Sequence, residues 1–314
     1  MLAYLARRFY IAVLTLLGVS VIAFFLMRII PGDAIDAQLG MHYTEARAEA
    51  LRQEFGLDQP VLAQYGHWLT AALRGDLGQS IRLRRDVGPV LIEHLPVTLE
   101  LAGLALGLAV IIGVPLGVLA AVRRGKVTDY LCGSFGVLGV SIPHFWLATL
   151  LILLFSLTLN ILPAGGELPS LLTDPIGNLK RMIMPALALG AAVAAIVMRM
   201  TRSSVIEVLS EDYVRTAKAK GLSPRRVIVK HALRNALVPV LTILGVQAGY
   251  LLAGSVVVEM IFSLPGIGWL AFESATNDDY ILLQAVILLI AVSFIAINLT
   301  VDLLYGVLDP RMRR

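Results

Sequence analysis

Charged residues are scarce in this chain of 314 residues: Asp, Glu, Lys and Arg make up 15% of it, and hydrophobic residues make up 58%. A soluble domain carries about 25% charged residues and about 45–50% apolar ones. The mean hydropathy is correspondingly high, at +0.81. This composition excludes a soluble enzyme. Long apolar runs between short polar stretches predict an all-α polytopic membrane protein.

Cysteine is almost absent and histidine is scattered. The single cysteine, Cys132, excludes a disulfide framework and a Cys-ligated metal centre. The five histidines form no ligand cluster, so no metal site is predicted. The sequence also lacks a G-x-x-x-x-G-K-[ST] phosphate loop, H-E-x-x-H and G-x-S-x-G. We therefore expect a chain that is not an enzyme and binds neither ATP nor another cofactor. The net charge of +4 does not imply nucleic acid.

Six apolar stretches have at least ~20 residues, enough to cross a ~30 Å hydrocarbon core at 1.5 Å per residue. The first follows Arg7 and Arg8, as the apolar region of a signal peptide follows basic residues. It is longer than the apolar region of a signal peptide and no A-x-A site follows, so we expect a retained helix. The predicted spans are residues 9–30, 96–122, 130–159, 182–201, 237–261 and 280–304.

Lysine and arginine are distributed unevenly among the connections. They cluster before the first span, between the second and third, between the fourth and fifth, and after the sixth. The connection between the fifth and sixth spans contains Glu273, Asp278 and Asp279 and no basic residue. Because basic connections stay in the cytoplasm, both termini are predicted to be cytoplasmic.

The long segment 31–95 is predicted to be extracytoplasmic and to contain two short helices. Thr44 caps the first, which runs to about Phe55, and the second starts near Pro60. The second has an apolar stripe at helical spacing. This stripe either packs against the outer ends of the spans or docks an external protein. Its members are Val61, Leu62, Tyr65, Trp68, Leu69, Ala72 and Leu73.

The basic segment 203–236 is predicted to form two short helices with a fixed corner between them. Gly221 stands where a helix needs a left-handed C-terminal residue, and Ser223 followed by Pro224 is typical of a helix start. Such an elbow suits insertion into a cleft of a partner. The alternative is an ordinary basic loop on anionic lipid. The predicted helical stripe before the corner contains Val205, Leu209, Tyr213 and Ala217.

Residues 211–239 resemble the cytoplasmic coupling loop of bacterial ABC-importer permeases. Gly221 and Ala217 match the glycine and second alanine of that loop, while Arg215 and Thr216 replace its glutamate and first alanine. Seven further strings, in order along the chain, resemble the dipeptide/oligopeptide/nickel permease family, in particular the first of its two permeases. They include GLDQPVLAQYGHW at 56–68, GVSIPHFWLA at 139–148 and VEMIFSLPGIG at 258–268.

The resemblance implies a type I ABC-importer permease in the bacterial inner membrane, with six transmembrane helices and a helical extracytoplasmic insertion after the first. It implies four kinds of partner: a homologous second permease, two cytoplasmic ATPases that bind ATP and Mg²⁺, an external binding protein and membrane lipid. The helix before Gly221 would contact one ATPase. The residues expected at or near that contact are Glu211, Tyr213, Arg215, Thr216, Ala217, Lys218 and Gly221.

The substrate expected from the resemblance is a di- or oligopeptide. Glutathione, nickel chelates and other small solutes are alternatives, and a secondary transporter is a remote one. A secondary transporter is disfavoured because no internal repeat is visible and buried acids are few.

Three residues are candidates for the translocation path. Ser141 and His144 flank Pro143, which is predicted to break the third span because proline has no backbone N–H. His144 either touches substrate or packs as an ordinary buried histidine. Glu259, near the outer end of the fifth span, either faces the path or bonds the backbone of the following loop.

The predicted organisation has three parts: the first span (1–30), the outer segment (31–95) and a core of five spans (96–314) that contains the coupling loop.

Overall fold

The structure is a computed structural model that describes residues 2–29, 44–46, 49 and 58–308. The predicted outer helix from Thr44 to Phe55 lies mostly outside these residues. Ten helices are labelled here in chain order. They are α1 Leu2–Ile29, α2 Val61–Leu73, α3 Val87–Val122, α4 Val127–Ser141, α5 His144–Leu151, α6 Pro175–Leu209, α7 Asp212–Ala219, α8 Leu233–Phe262, α9 Ile267–Thr276 and α10 Tyr280–Leu308.

By length and composition, five of the described helices can cross a membrane, or up to seven if each of two bent helix pairs counts as one span. The five correspond to the first, second, fourth, fifth and sixth predicted spans. The third predicted span is one of the bent pairs. The chain bends by 103° between Val127–Ser141 and His144–Thr158. Ile142 is extended (φ −81°, ψ 120°), the conformation favoured before a proline. The predicted break at Pro143 is therefore confirmed, and it is a sharp corner.

The chain divides into two compact units, one of which comprises residues 1–98 and 265–296. Its apolar core joins the start of α3 to α9 and α10 through residues such as Val90, Leu270 and Val286. In the same unit, Tyr65 and Trp68 of α2 contact Phe24 of α1. Packing of the α2 stripe against the first span is thus confirmed for these two aromatic residues.

The second unit comprises residues 99–264 and 297–314, and α6 is its most buried helix. Glycines let neighbouring helices approach α6 closely. A methyl group at Gly117 of α3 would lie 2.5 Å from the Met198 carbonyl oxygen, and one at Gly113 would lie 2.6 Å from that of Ala194. Small residues at such contacts are typical of helices that associate within a membrane.

A partly buried ion pair joins α4 to α6. Arg202 Nε and Nη2 donate to the two carboxylate oxygens of Asp129 at 2.6 and 2.9 Å. The backbone N–H of Gly125 donates to the same carboxylate at 3.0 Å. The pair therefore fixes the turn between α3 and α4 as well as the two helices.

Candidate functional site

The predicted elbow is present and begins where α6 ends. Glu211 is extended (φ −68°, ψ 147°) between α6 and α7. Because this break resets the helical register, Val214 and Ala217 form the buried face of α7. Tyr213 was predicted to share a stripe with Ala217, but it is 41% exposed. That part of the predicted stripe is wrong.

Gly221 forms the corner of the elbow. Its φ is +76°, the left-handed conformation predicted for it. The N–H of Leu222 donates to the Ala217 carbonyl at 3.4 Å, and that of Gly221 donates to the Lys218 carbonyl at 3.0 Å. These two bonds form a Schellman motif, which satisfies the carbonyls that the helix end leaves free.

The second arm of the elbow begins at Pro224, as predicted. A helical turn, Pro224–Arg226, leads through a π-helical stretch, Val227–Ala232, into α8. Ser223 occupies the predicted capping position, but its side chain makes no capping bond. We call the segment from Glu211 to Arg226 the elbow.

Apolar contacts and one tyrosine hold the elbow in place. Val214, Ala217 and Val227 form a buried cluster against Val208 and Leu209 at the end of α6. The hydroxyl of Tyr213 accepts a 2.8 Å hydrogen bond from the side-chain amide of Asn235. The same hydroxyl donates to the His231 carbonyl at 3.3 Å. These bonds tie α7 to the start of α8.

The opposite face of the elbow is exposed and carries most of the predicted contact residues. Ala217 is the exception, because it is buried in the cluster described above. Arg215 lies 3.4 Å from Asp212, and both side chains are largely exposed, so this pair contributes little stability. The exposed members of the predicted contact are Glu211, Tyr213, Arg215, Thr216, Lys218 and Gly221.

The three candidates for the translocation path do not form one cluster. Ser141 is exposed at the end of α4, and Glu259 is fully buried in α8. His144 Nδ1 lies 3.2 Å from the Ala188 carbonyl oxygen, to which it donates, so the ring connects α5 to α6. An apolar cavity of about 190 Å³ lies between α3, α4, α5 and α6, and none of the three residues lines it.

Sequence reasoning missed the residues that bond Tyr213 from beyond the corner. His231, in the π-helical stretch, and Asn235, in α8, lie 18 and 22 residues after Tyr213. The corner at Gly221 interrupts the helix between them, so the periodicity of a single helix does not relate them. The available signal was the polarity of Asn235 at the start of an apolar span. In the part of the chain that the structure describes, no group of three or more His, Cys, Asp or Glu side chains could hold a metal ion.

Several helices that can cross a membrane, with an exposed elbow between two of them, define a polytopic membrane protein. Residues 113–314 match the family described as binding-protein-dependent transport system inner membrane component. Residues 1–102 match the N-terminal region of the corresponding membrane components. The chain belongs to this family and is a permease subunit.

Full-length relatives agree with this assignment. The dipeptide transport system permease protein DppB of Escherichia coli is 39% identical over 336 residues, which cover 100% of this chain and 99% of that protein. The glutathione transport system permease protein GsiC of Escherichia coli is 42% identical over 313 residues, with the same two coverages.

A solved structure of the MetNI methionine ABC transporter, in an inward-facing conformation, has a similar fold. The TM-score is 0.54 at 18% identity, over 70% of this chain and 96% of that one. The likeness confirms the predicted fold class, that of a type I ABC-importer permease.

Proposed function

We propose that this chain is one permease subunit of an ATP-driven importer for di- or oligopeptides. It forms half of the translocation path and pairs with a homologous second permease. The observation that carries the proposal is the full-length similarity to a dipeptide permease. Glutathione is a second candidate substrate because a glutathione permease is equally similar along its whole length. Nickel chelates and other small solutes are further alternatives.

The elbow is the proposed contact with a cytoplasmic ATPase. Its inner face is packed on α6 and its Tyr213 is bonded to α8, so a push on α7 is transmitted to two membrane helices. Closure of two ATPases around ATP and Mg²⁺ would thus switch the path between its two openings. In this proposal ATP is hydrolysed by the partner chains, and the permease binds no cofactor.

The proposed location is the bacterial inner membrane, with both termini and the elbow in the cytoplasm. The distribution of Lys and Arg supports this orientation. An external binding protein would deliver substrate from the other side.

The assembly is tested by purifying the chain from its native membrane in mild detergent. We expect a second permease and two ATPase chains to co-purify, with ATP hydrolysis. Reconstituted vesicles that contain these chains and the binding protein should accumulate labelled dipeptide, and unlabelled glutathione should compete if it is a substrate. A lone chain without ATPase activity, repeated under gentler extraction, would contradict the proposal and favour a secondary transporter.

Coupling is tested at Gly221, where added atoms meet open space and only the backbone conformation is strained. A left-handed backbone costs most residues about 1–2 kcal/mol, more for a β-branched one, whereas asparagine tolerates it. We expect the Gly221→Val complex to hydrolyse ATP without the corresponding peptide uptake, while the chain still inserts into the membrane. Gly221→Asn should retain uptake. Normal uptake by Gly221→Val would contradict the proposed role of the elbow in coupling.

A further inference from the structure

Helix α2 has an unusual composition for a segment between two membrane spans. Its 13 residues include no Asp, Glu, Lys or Arg. Charged residues occur just outside it, at Asp58, Arg74 and Asp76. An uncharged amphipathic helix of this kind needs an apolar environment on at least one face.

One face of α2 lies on the end of α1. The side-chain oxygen of Gln64 accepts from Nε and Nη2 of Arg28 at 3.1 and 2.7 Å. The hydroxyls of Tyr65 and Ser20 are 2.8 Å apart. Arg28 is the last residue of the apolar stretch of α1 that can cross a membrane. Ser20 lies eight residues before it, about 12 Å along the helix axis. The contact therefore places α2 beside the final turns of the span, at the end where α1 leaves the membrane.

Aromatic rings dominate this contact. The rings of Tyr65 and Trp68 lie 5.2 and 5.7 Å from that of Phe24. The guanidinium carbon of Arg28 lies 3.5 Å from the centre of the Phe24 ring. Tyrosine and tryptophan are enriched at the boundary between membrane and water, where their rings meet both environments.

The remaining surface of α2 has two different sides. Leu62 and Leu73 are 75% and 79% exposed, and they lie on one side because 11 residues make about three helical turns. His67 and Thr70 are also exposed. At about 100° per residue, His67 lies about 120–140° around the helix from the two leucines, and Thr70 lies between them. No residue of α2 is buried, so the contact with α1 leaves both leucines uncovered.

We propose that α2 is an interfacial helix that lies in the plane of the membrane surface. Leu62 and Leu73 contact lipid acyl chains, His67 faces water, Thr70 lies at the boundary between the two, and the aromatic contact with Phe24 fixes the helix to α1. The partner of the two leucines is thus the lipid bilayer. This assignment agrees with the tyrosine and tryptophan of α2 and with its position at the end of a membrane helix.

Nitroxide labels test the depth of each side of α2. The native cysteine is removed by Cys132→Ser, and Leu62→Cys, Leu73→Cys, His67→Cys and Thr70→Cys are labelled one at a time. The chain, with the subunits that co-purify, is reconstituted into phosphatidylcholine–phosphatidylglycerol vesicles. Power saturation then compares collisions with oxygen, which concentrates in lipid, and with a water-soluble nickel chelate. Ile22→Cys, on an exposed side of α1 within the span, is the lipid control, and Arg124→Cys, in the exposed turn between α3 and α4, is the aqueous one.

We expect labels at positions 62 and 73 to show the oxygen-to-nickel ratio of position 22, a label at 67 to approach that of position 124, and a label at 70 to give a ratio between the two. Equal and high nickel accessibility at all four positions would overturn the proposal and leave the leucines as a docking face for an external protein. Equal oxygen preference at all four would also overturn it, because α2 would then be immersed in lipid.

Discussion

At Gly117, the absence of a side chain sets the distance between α3 and α6. A methyl group there would lie 2.6 Å from Thr201 Cβ as well as 2.5 Å from the Met198 carbonyl. Gly103 lies in the same helix, and a methyl group there meets no atom within 4 Å. These two glycines therefore offer a matched comparison.

We expect Gly117→Ala to lower the midpoint of thermal unfolding in detergent, because overpacking a close contact costs about 1–3 kcal/mol. Gly103→Ala should leave the midpoint unchanged or raise it, since alanine is the better helix former by about 0.5–1 kcal/mol. Fluorescence-detected size exclusion after heating measures both. Equal midpoints for the two variants would show that α3 does not need this contact.

Asp279 is the residue that clamps the turn from Ser80 to Asp86. Its buried carboxylate accepts from Ser80 Oγ at 2.5 Å and from the backbone N–H groups of Arg82 and Leu282 at 3.3 and 3.2 Å. In Asp279→Asn an amide NH₂ replaces one acceptor and faces a donor, at a cost of about 1–3 kcal/mol. We expect this variant to expose the turn to trypsin at Arg82, Arg84 and Arg85.

Asp278→Asn is the control for that experiment. Asp278 is exposed and has a φ of +56°, a conformation that asparagine tolerates. The same chemical change one residue away should leave the trypsin pattern unaltered. If both variants resist trypsin as the parent chain does, the carboxylate of Asp279 does not hold the turn.

At the scale of elements, the Asp129–Arg202 pair is expected to hold α4 against α6. The Asp129 side chain is 10% exposed, whereas the Asp212 side chain of the elbow pair is 95% exposed. Arg202→Gln should therefore lower the unfolding midpoint several times more than Arg215→Gln, because exposed pairs contribute little. Thermal unfolding of both purified variants measures the difference, and similar losses would contradict this role.

The long helices and the arms of the elbow were predictable from the sequence because each depends on local pattern, whereas α9 was not predicted. Apolar length indicated the spans, Pro143 indicated the corner in the third, and Gly221 indicated the corner of the elbow. The register of α7 was not predictable. It depends on an extended residue, Glu211, for which the sequence carries no glycine or proline signal.

Contacts between elements were not predictable either. The bond between Tyr213 and Asn235 joins residues 22 positions apart, and that between Ser20 and Tyr65 joins residues 45 positions apart. Each bond depends on how two helices cross. The exposed face of the elbow could be inferred, because charged residues such as Arg215 and Lys218 favour solvent. The burial of Ala217 could not, since alanine suits either side of a helix.

The orientation of the whole molecule is a prediction that two positions test. In the Cys132→Ser background, Thr276→Cys should react with a membrane-impermeant maleimide in spheroplasts, because its connection has no basic residues. Arg225→Cys, in the elbow, should react only after the membrane is permeabilised. Both positions are exposed in the structure. Reaction of both from the same side would contradict the predicted topology.

The glycine contacts between α3 and α6 can form only after both helices have been synthesised, and α3 is synthesised first. About 80 residues separate Gly117 from Thr201, so at ~5–20 residues per second α3 waits about 4–16 s in the bilayer for its neighbour. Helix α3 tolerates that delay because residues 101–122 carry no charge. Helix α6 is less suited to wait in lipid, since it contains Lys180, Arg181, Arg199, Arg202 and Glu207. During synthesis the uncharged α3 therefore enters the membrane first. The charged α6 enters when α3 is already in place to pack against it.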